Sequence, residues 1–248
     1  MARRLGRPHH PAMKLFDADS MVDLCVGASE EPCVALAAAD LACDLARLSG
    51  RRPTVKRYLP RDEQALIVVG SVTNPEFLAW CAGAGIDTAS LEGQWEGYLL
   101  QTRAGSRLAI CGSDPRGAMW GLYELCERHL GVDPLLLWTG NLPARRPSLE
   151  LPPLDERGAP RTFRFRGWFV NDEDLLTELR DSGGRRYVDY PFYHQVTHQD
   201  VIARVLETAL RLRQNLVIPA SLIDIMNPAE ENLVRMASER GFYVSQHH

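Results

Sequence analysis

A cluster of polar residues, Asn171, Asp172, Glu173 and Asp174, directly follows the segment Phe163 to Val170, whose apolar residues alternate as in a β-strand. The cluster brings one amide and three carboxyl groups to the end of that predicted strand. Parallel α/β sheets and barrels carry their chemistry at the carboxyl-terminal ends of strands. The cluster is therefore a candidate catalytic or binding site.

The same residues also fit a purely structural role. Asn and Asp side chains cap helices, and acidic residues in the first turn interact favourably with the helix dipole. On this interpretation Asn171 and Asp174 only begin the next helix. Both interpretations are open at this stage.

Aromatic residues follow the cluster in the segment 175–194. A Gly183-Gly184 break predicts that this segment is a long loop over the strand end. Its aromatic residues are Tyr187, Tyr190, Phe192 and Tyr193. Aromatic rings near acidic and amide groups suit sugar rings and their hydroxyls, so the loop is a candidate carbohydrate-binding surface.

The elements that must position the cluster alternate between strand and helix. Helices are predicted over Val201–Arg213 and Pro228–Arg240, and strands over Asn215–Ala220 and Phe242–Ser245. With the strand that begins at Phe163, this order is typical of a parallel β/α fold. A (β/α)₈ barrel needs about 250 residues, so these elements would form the first β/α units of a truncated TIM barrel.

The preceding part of the chain predicts a small mixed α/β domain. The fully apolar run ALIVV, residues 65–69, indicates a central strand, and residues 97–111 a hairpin. The segment GSDPRGAMWGLYEL, residues 112–125, lacks the glycine spacing of a Walker loop and of a GxGxxG fingerprint. It is interpreted as a structural helix that Ser113 or Asp114 caps.

These patterns predict four segments. They are a disordered leader over residues 1–12, a small α/β domain over 13–140, a Pro-rich linker over 141–161, and the start of an incomplete barrel over 162–248. The linker prediction depends on five prolines and on little apolar periodicity.

Composition and charge exclude some classes of function. The 248 residues are 45% hydrophobic and 24% charged, as in an ordinary globular protein. The net charge of -4 and pI near 6.0 provide no basic stripe, so we expect no nucleic-acid partner. No apolar run reaches the roughly 18 residues of a membrane span, and we expect no membrane partner.

The cysteines also bear on the cellular setting. The six residues, at positions 25, 33, 43, 81, 111 and 126, form no CxxC pair and are interpreted as buried, reduced thiols in a cytoplasmic protein. Their even count would also allow disulfides. The N-terminal arginines precede no apolar signal core of about 7–15 residues; an upstream signal would instead predict a secreted or periplasmic protein.

Three segments together resemble the N-terminal part of glycosyl hydrolase family 115, the xylan α-1,2-glucuronidases. The segments are GSDPRGAMWGLYEL, RFRGWFVNDED and LRLRQNLVIPASLIDIMNPAEENLVRMASERGFYVSQHH. The resemblance implies a small α/β domain ahead of a (β/α)₈ barrel, and inverting removal of glucuronic acid or its 4-O-methyl ether from xylan. It also implies a carbohydrate partner, no metal or other cofactor, and allows a homodimer of the full-length enzyme.

By the same resemblance, Asp172 is a catalytic carboxylate. Asn171, Glu173, His247 and His248 are its substrate-binding neighbours. The Glu-Pro-Met that usually follows the His-His pair is missing, so the general acid and base cannot both be assigned and we expect an inactive fragment. Two alternatives are a non-catalytic carbohydrate-binding or interaction module, and another glycosidase with a hexosaminidase-like N-terminal domain.

Overall fold

The computed structural model describes residues 12–60, 66–103, 107–171, 175–188 and 193–247. The chain divides into two compact units. The first unit contains Met1–Val132 and Pro143–Pro160, and the second contains Asp133–Leu142 and Arg161–His248. All of the predicted leader except its last residue lies outside the described residues.

The described part of the first unit contains eight strands and three α-helices. The strands are β1 (Met13–Phe16), β2 (Asp23–Val26), β3 (Val55–Lys56), β4 (Leu66–Ser71), β5 (Tyr98–Arg103), β6 (Arg107–Gly112), β7 (Leu149–Leu151) and β8 (Asp155–Gly158). The helices are α1 (Pro32–Ser49), α2 (Pro75–Gly83) and α3 (Pro115–Glu124). A 3₁₀ turn spans Ala89–Leu91, and a π-helical turn, Leu125–His129, extends α3.

Six of these strands form one sheet in the order β3-β2-β4-β6-β5-β8. β3, β2, β4 and β6 are parallel, whereas β5 pairs antiparallel with both β6 and β8. Every residue of β4 is buried, which agrees with the central strand that the run ALIVV predicts. The predicted hairpin is the antiparallel pair β5–β6.

The glycines of the GSDPRGAMWGLYEL segment allow α3 to lie very close to the sheet. A Cβ at Gly112 would lie 2.0 Å from the backbone N of Ala118, and one at Gly117 would lie 2.1 Å from the carbonyl O of Gly97. Asp114 caps α3 by accepting a hydrogen bond from the Gly117 N–H at 2.7 Å. These contacts agree with the interpretation of the segment as a structural helix.

The structure differs from the linker prediction for residues 141–161. β7 pairs antiparallel with β1, and β8 pairs antiparallel with β5. Leu151 and Leu154 are buried. Pro152 and Pro153 fall between the two strands, where proline removes no donor from a hydrogen-bond ladder. The proline content of this segment predicts a linker, but the segment contributes two strands to the first unit.

The described part of the second unit contains five strands and four short or medium helices. The strands are β9 (Gly167–Phe169), β10 (Gly184–Arg185), β11 (Gln195–Val196), β12 (Leu216–Ile218) and β13 (Tyr243–Val244). The helices are α4 (Leu136–Thr139), α5 (Leu175–Glu178), α6 (Gln199–Arg211) and α7 (Pro228–Glu239). β13, β12 and β9 form a parallel sheet in that order, and β10 and β11 form an antiparallel hairpin.

Two predictions for this unit need correction. The predicted strand over 163–170 is reduced to β9, and Phe163 and Phe165 are exposed. The Arg166 side chain explains the difference, because its guanidinium donates to the Phe163 carbonyl O at 2.7 Å and so favours a turn in the preceding chain. The predicted long loop over 175–194 instead contains α5 and the start of the β10–β11 hairpin.

Within the described ranges, no helix is both long enough and apolar enough to cross a membrane. None of the six cysteines, all of which lie in the described residues, forms a disulfide; five are buried and Cys43 is half-buried. Burial raises the pKa of the Cys33 thiol to about 12.

We therefore expect a thiol reagent at pH 8 to label Cys43 before Cys33. With a pKa of about 12, only about one Cys33 thiol in 10⁴ is ionised at pH 8, and the thiolate is the reactive form. Peptide mass spectrometry after timed alkylation, with and without urea, measures the order of labelling. If the folded chain modifies Cys33 as fast as Cys43, this expectation is wrong.

Candidate functional site

The candidate residues follow the three parallel strands of the second unit. Asn171 follows β9, Ser221 follows β12, and His247 follows β13. Because the strands are parallel, their carboxyl-terminal ends share one edge of the sheet. Asp172, Glu173 and His248 lie outside the described residues, so their roles stay predictions.

Asn171 is tied to the loop that follows β12. Its Oδ1 accepts a hydrogen bond from the Ser221 Oγ at 3.1 Å. Asn171 is exposed and Ser221 is buried. The Val170 N–H donates to the Ile218 carbonyl O at 2.8 Å, so the backbone pairing of β9 with β12 continues up to the candidate site. The amide of Asn171 is therefore held in place at the strand end and still reaches solvent.

His247 packs against an aromatic ring of β9. The His247 and Phe169 ring centroids lie 4.9 Å apart at an interplanar angle of 34°. The adjacent Gln246 side chain donates to the Ile223 carbonyl O at 2.9 Å, which holds the end of β13 to the loop after β12. Phe169 remains 45% exposed. A partly exposed ring beside an imidazole offers both an apolar face and a hydrogen-bonding group to a sugar.

A buried ion pair holds the β10–β11 hairpin to the first turn of α7. The Arg186 guanidinium lies 2.9 Å from Glu230 Oε2, and the two side chains are only 1% and 2% exposed. Arg186 also donates to the Leu222 carbonyl O at 2.7 Å and to the Tyr193 hydroxyl at 2.5 Å. Arg186 therefore links the hairpin to the segment that carries Ser221.

The Glu230 carboxylate has three partners that satisfy its charge. Besides Arg186, it accepts from the Asn227 Nδ2 at 2.9 Å and from the Asp224 N–H at 2.8 Å. Asn227 donates further to the Arg185 carbonyl O at 2.8 Å and caps α7 through the Ala229 N–H. A buried ionised pair needs such additional hydrogen bonds to offset its desolvation.

The sequence patterns described above do not predict this network. One signal was present, because Asn227 followed three residues later by Glu230 is the spacing of a capping box. That motif predicts a local bond from Glu230 back to the Asn227 N–H. The structure instead directs Glu230 to the Asn227 side chain and to Arg186, which lies 44 positions earlier.

The hairpin also forms a cleft of about 300 Å³. It is lined by Arg185, Arg186, Tyr187, Val188 and His194. Of the aromatic residues predicted to bind sugar, Tyr187 is 66% exposed. Tyr193 is buried, with its ring centroid 3.9 Å from the Arg186 Cζ, and so serves packing. Tyr190 and Phe192 lie outside the described residues.

The part of the chain that carries these residues matches a known protein family. Residues 158–248 match glycosyl hydrolase family 115. This match confirms the resemblance predicted from RFRGWFVNDED and from the segment after Leu210, although it covers less than half of the chain. Residues 158–248 are called the family 115 region below. None of the curated proteins matches the chain.

Solved structures agree with the mixed α/β fold. The chain is similar to a family GH115 4-O-methyl-alpha-glucuronidase with specificity for decorated arabinogalactans, with 23% identity and a TM-score of 0.74 over 94% of this chain. It spans only 29% of that structure's length. The mixed α/β fold class predicted from the sequence is thus confirmed.

Two hexosaminidase-type structures share the fold more distantly. A chitobiase from Flavobacterium johnsoniae is 14% identical, with a TM-score of 0.54 over 95% of this chain and 32% of its own. A beta-hexosaminidase from Streptomyces plicatus is 13% identical, with a TM-score of 0.55 over 96% of this chain and 43% of its own. At these identities the likeness extends to the fold alone.

Proposed function

We propose that the family 115 region forms part of the active site of a glycoside hydrolase that removes glucuronic acid or its 4-O-methyl ether from a polysaccharide. The observation that carries this proposal is the placement of Asn171 and His247. Both belong to segments that resemble the family, and both follow strands of one parallel sheet at its carboxyl-terminal edge. The exposed Phe169 ring beside His247 adds a surface for a sugar ring.

The proposed reaction is an inverting acid/base hydrolysis. One carboxyl group protonates the leaving oxygen and a second activates water, with the two about 6.5–9.5 Å apart. Asp172 is proposed as one of these groups, next to Asn171 in the chain. Asn171, Glu173, His247 and His248 would bind the sugar hydroxyls. The inverting mechanism that the family resemblance implies requires no metal ion.

The proposal also concerns the fold of the second unit and the polysaccharide that carries the uronic acid. The alternation β9–α6–β12–α7–β13 supports the view that the second unit is the start of a (β/α)₈ barrel. Xylan is the substrate that the family resemblance implies. The similar solved enzyme has specificity for decorated arabinogalactans, so both polysaccharides are candidate carriers of the uronic acid.

Binding of the released sugar tests this site. We expect 4-O-methyl-D-glucuronic acid to shift the backbone amide NMR signals of Asn171 and His247, and His247→Ala to weaken that binding about tenfold, which corresponds to one lost hydrogen bond and ring contact. His194→Ala, in the hairpin cleft of the same unit, is the control and should leave the affinity unchanged. The proposal fails if the sugar leaves the signals at this strand edge unshifted.

We further propose that the chain alone releases no glucuronic acid. Asp172 is the one catalytic carboxylate that the family resemblance assigns, and inversion requires two. Chromatography of the products after incubation with glucuronoxylan or decorated arabinogalactan measures any release. Release that disappears in the Asp172→Asn variant would contradict the inactivity and support the assignment of Asp172.

The hairpin cleft favours a second candidate function, a non-catalytic carbohydrate-binding surface. The cleft has a volume of about 300 Å³ and includes the exposed Tyr187 ring. A sugar bound there would lose affinity in the Tyr187→Ala variant and not in the His247→Ala variant. The opposite pattern would favour the glucuronidase site.

A further inference from the structure

The first unit contains a pocket of about 220 Å³ at the carboxyl-terminal edge of its parallel strands. The pocket is lined by Ser29, Glu30, Glu31, Ser71, Thr73, Asn74, Pro75 and Pro115. These residues lie at the end of β4, in the connections that follow β2 and β4, and at the starts of α2 and α3. Because liquid water occupies about 30 Å³ per molecule, the pocket has room for a small organic molecule the size of one sugar ring.

At this pocket the order in which successive strands join the sheet reverses. β2 and β4 are adjacent and parallel. β2 continues through α1 to β3 on one side, whereas the chain after β4 continues through α2 towards β5 and β6 on the other side. In open α/β sheets, ligands bind outside the carboxyl ends of the two strands where the order reverses in this way.

A buried carboxylate forms part of the pocket wall. Glu30 is only 5% exposed. Its Oε2 accepts from the Ser71 N–H at 3.0 Å and from the Asn74 Nδ2 at 3.3 Å, whereas its Oε1 accepts from the Ser71 Oγ at 2.9 Å. Each oxygen of an ionised carboxylate accepts about two hydrogen bonds. Oε1 therefore has the capacity for one more donor.

The hydrogen bonds between the hydroxyl groups leave Thr73, like Glu30, able to accept a further hydrogen bond. The single hydroxyl proton of Ser71 is donated to Glu30. The 2.9 Å contact between the Ser71 and Thr73 hydroxyls then requires Thr73 to be the donor. The lone pairs of the Thr73 Oγ1 are left to accept. Glu30 and Thr73 thus both present acceptors to a ligand.

The charges around the pocket favour a neutral ligand. The positive ends of the α1, α2 and α3 dipoles lie at this edge, because all three helices begin there, and they disfavour a cation. The carboxylates of Glu30 and Glu31 disfavour an anion, and Glu76 and Arg57, which bond to the Ser29 hydroxyl and to the Glu30 carbonyl O, add one charge of each sign beside them. A neutral molecule that donates several hydrogen bonds avoids both penalties.

We propose that this pocket is a binding site for a neutral polyhydroxyl molecule of monosaccharide size, whose hydroxyl groups donate to Glu30 and Thr73. The site belongs to the first unit and does not depend on the glucuronidase proposal for the second. A family 115 region without any activity would leave it unaffected.

Titration of the full chain with D-xylose tests the proposal. We expect D-xylose to shift the amide NMR signals of Ser71, Thr73 and Asn74, and Thr73→Val to weaken this binding about tenfold through the loss of the hydroxyl. Thr88→Val is the matched control, because Thr88 follows α2 at the end remote from the pocket, and it should change nothing. Glu30 is left unaltered because its bonds also support the fold.

Charged analogues of the sugar test the electrostatic part. D-glucose should shift the same three signals at lower concentration than either D-glucuronate or D-glucosamine. If neither D-xylose nor D-glucose shifts these signals, or if Thr73→Val binds as well as the unaltered chain, there is no such site. A tighter fit of the amino sugar would overturn the preference for a neutral ligand.

Discussion

Replacing Arg186 with methionine is expected to lower the free energy of unfolding of the second unit by about 3–5 kcal/mol. The substitution leaves the Glu230 carboxylate, which is 2% exposed, without its cationic partner. It also removes the donors to the Leu222 carbonyl O and the Tyr193 hydroxyl. The cost of an uncompensated buried charge dominates, because the pair is almost completely removed from water.

Hydrogen exchange in increasing urea, followed on peptides from α6 and α7, measures this loss in the second unit itself. Arg235→Met is the matched control: Arg235 forms its pairs with Glu231 and Glu239 on the exposed face of α7, where ion pairs contribute about 0–1 kcal/mol. The double variant Arg186→Met with Glu230→Leu should recover much of the stability, because neither charge then remains buried. If Arg186→Met lowers the free energy of unfolding no more than Arg235→Met does, the ion pair does not hold the hairpin.

Replacing Gly112 with alanine is expected to destabilise the first unit by about 3 kcal/mol. The added Cβ would lie 2.0 Å from the Ala118 N, 2.5 Å from the Asp114 carbonyl O and 2.7 Å from the Ala118 Cα. All three are backbone atoms of α3 or its cap, so no side-chain rotation relieves the overlap. The helix would have to move away from the sheet as a whole, with loss of its buried contacts.

Gly83→Ala is the matched control for this substitution. Gly83 ends α2, and a Cβ there meets nothing within 4 Å. Alanine at this helical position should therefore stabilise the unit by about 0.5–1 kcal/mol. Urea denaturation monitored through tryptophan fluorescence, to which the buried Trp120 of α3 contributes, compares the two variants. Equal stabilities for the two variants would mean that α3 does not need the close approach.

Local chemistry in the sequence was enough to predict several of the elements. Asn74, Asp114 and Asn227 each precede a proline at the first helical position, and each accepts a hydrogen bond from a backbone N–H of the helix that it begins. The apolar run at residues 65–69 predicted a central strand for the same kind of reason, since burial on both faces requires apolar residues throughout. Such signals depend on neighbours a few positions away.

Only the tertiary structure determined the partners that are distant in the chain. Proline content at 141–161 predicted a linker, but the pairing of β7 and β8 depends on which strand edges are available to them. Arg186 has no local feature that distinguishes it from a surface arginine, and it is buried because the first turn of α7 places Glu230 opposite it. The pocket of the first unit that Glu30 lines likewise exists because β2 and β4 are adjacent. A sequence pattern records the preferences of each segment, whereas burial and pairing depend on the segments that meet it in three dimensions.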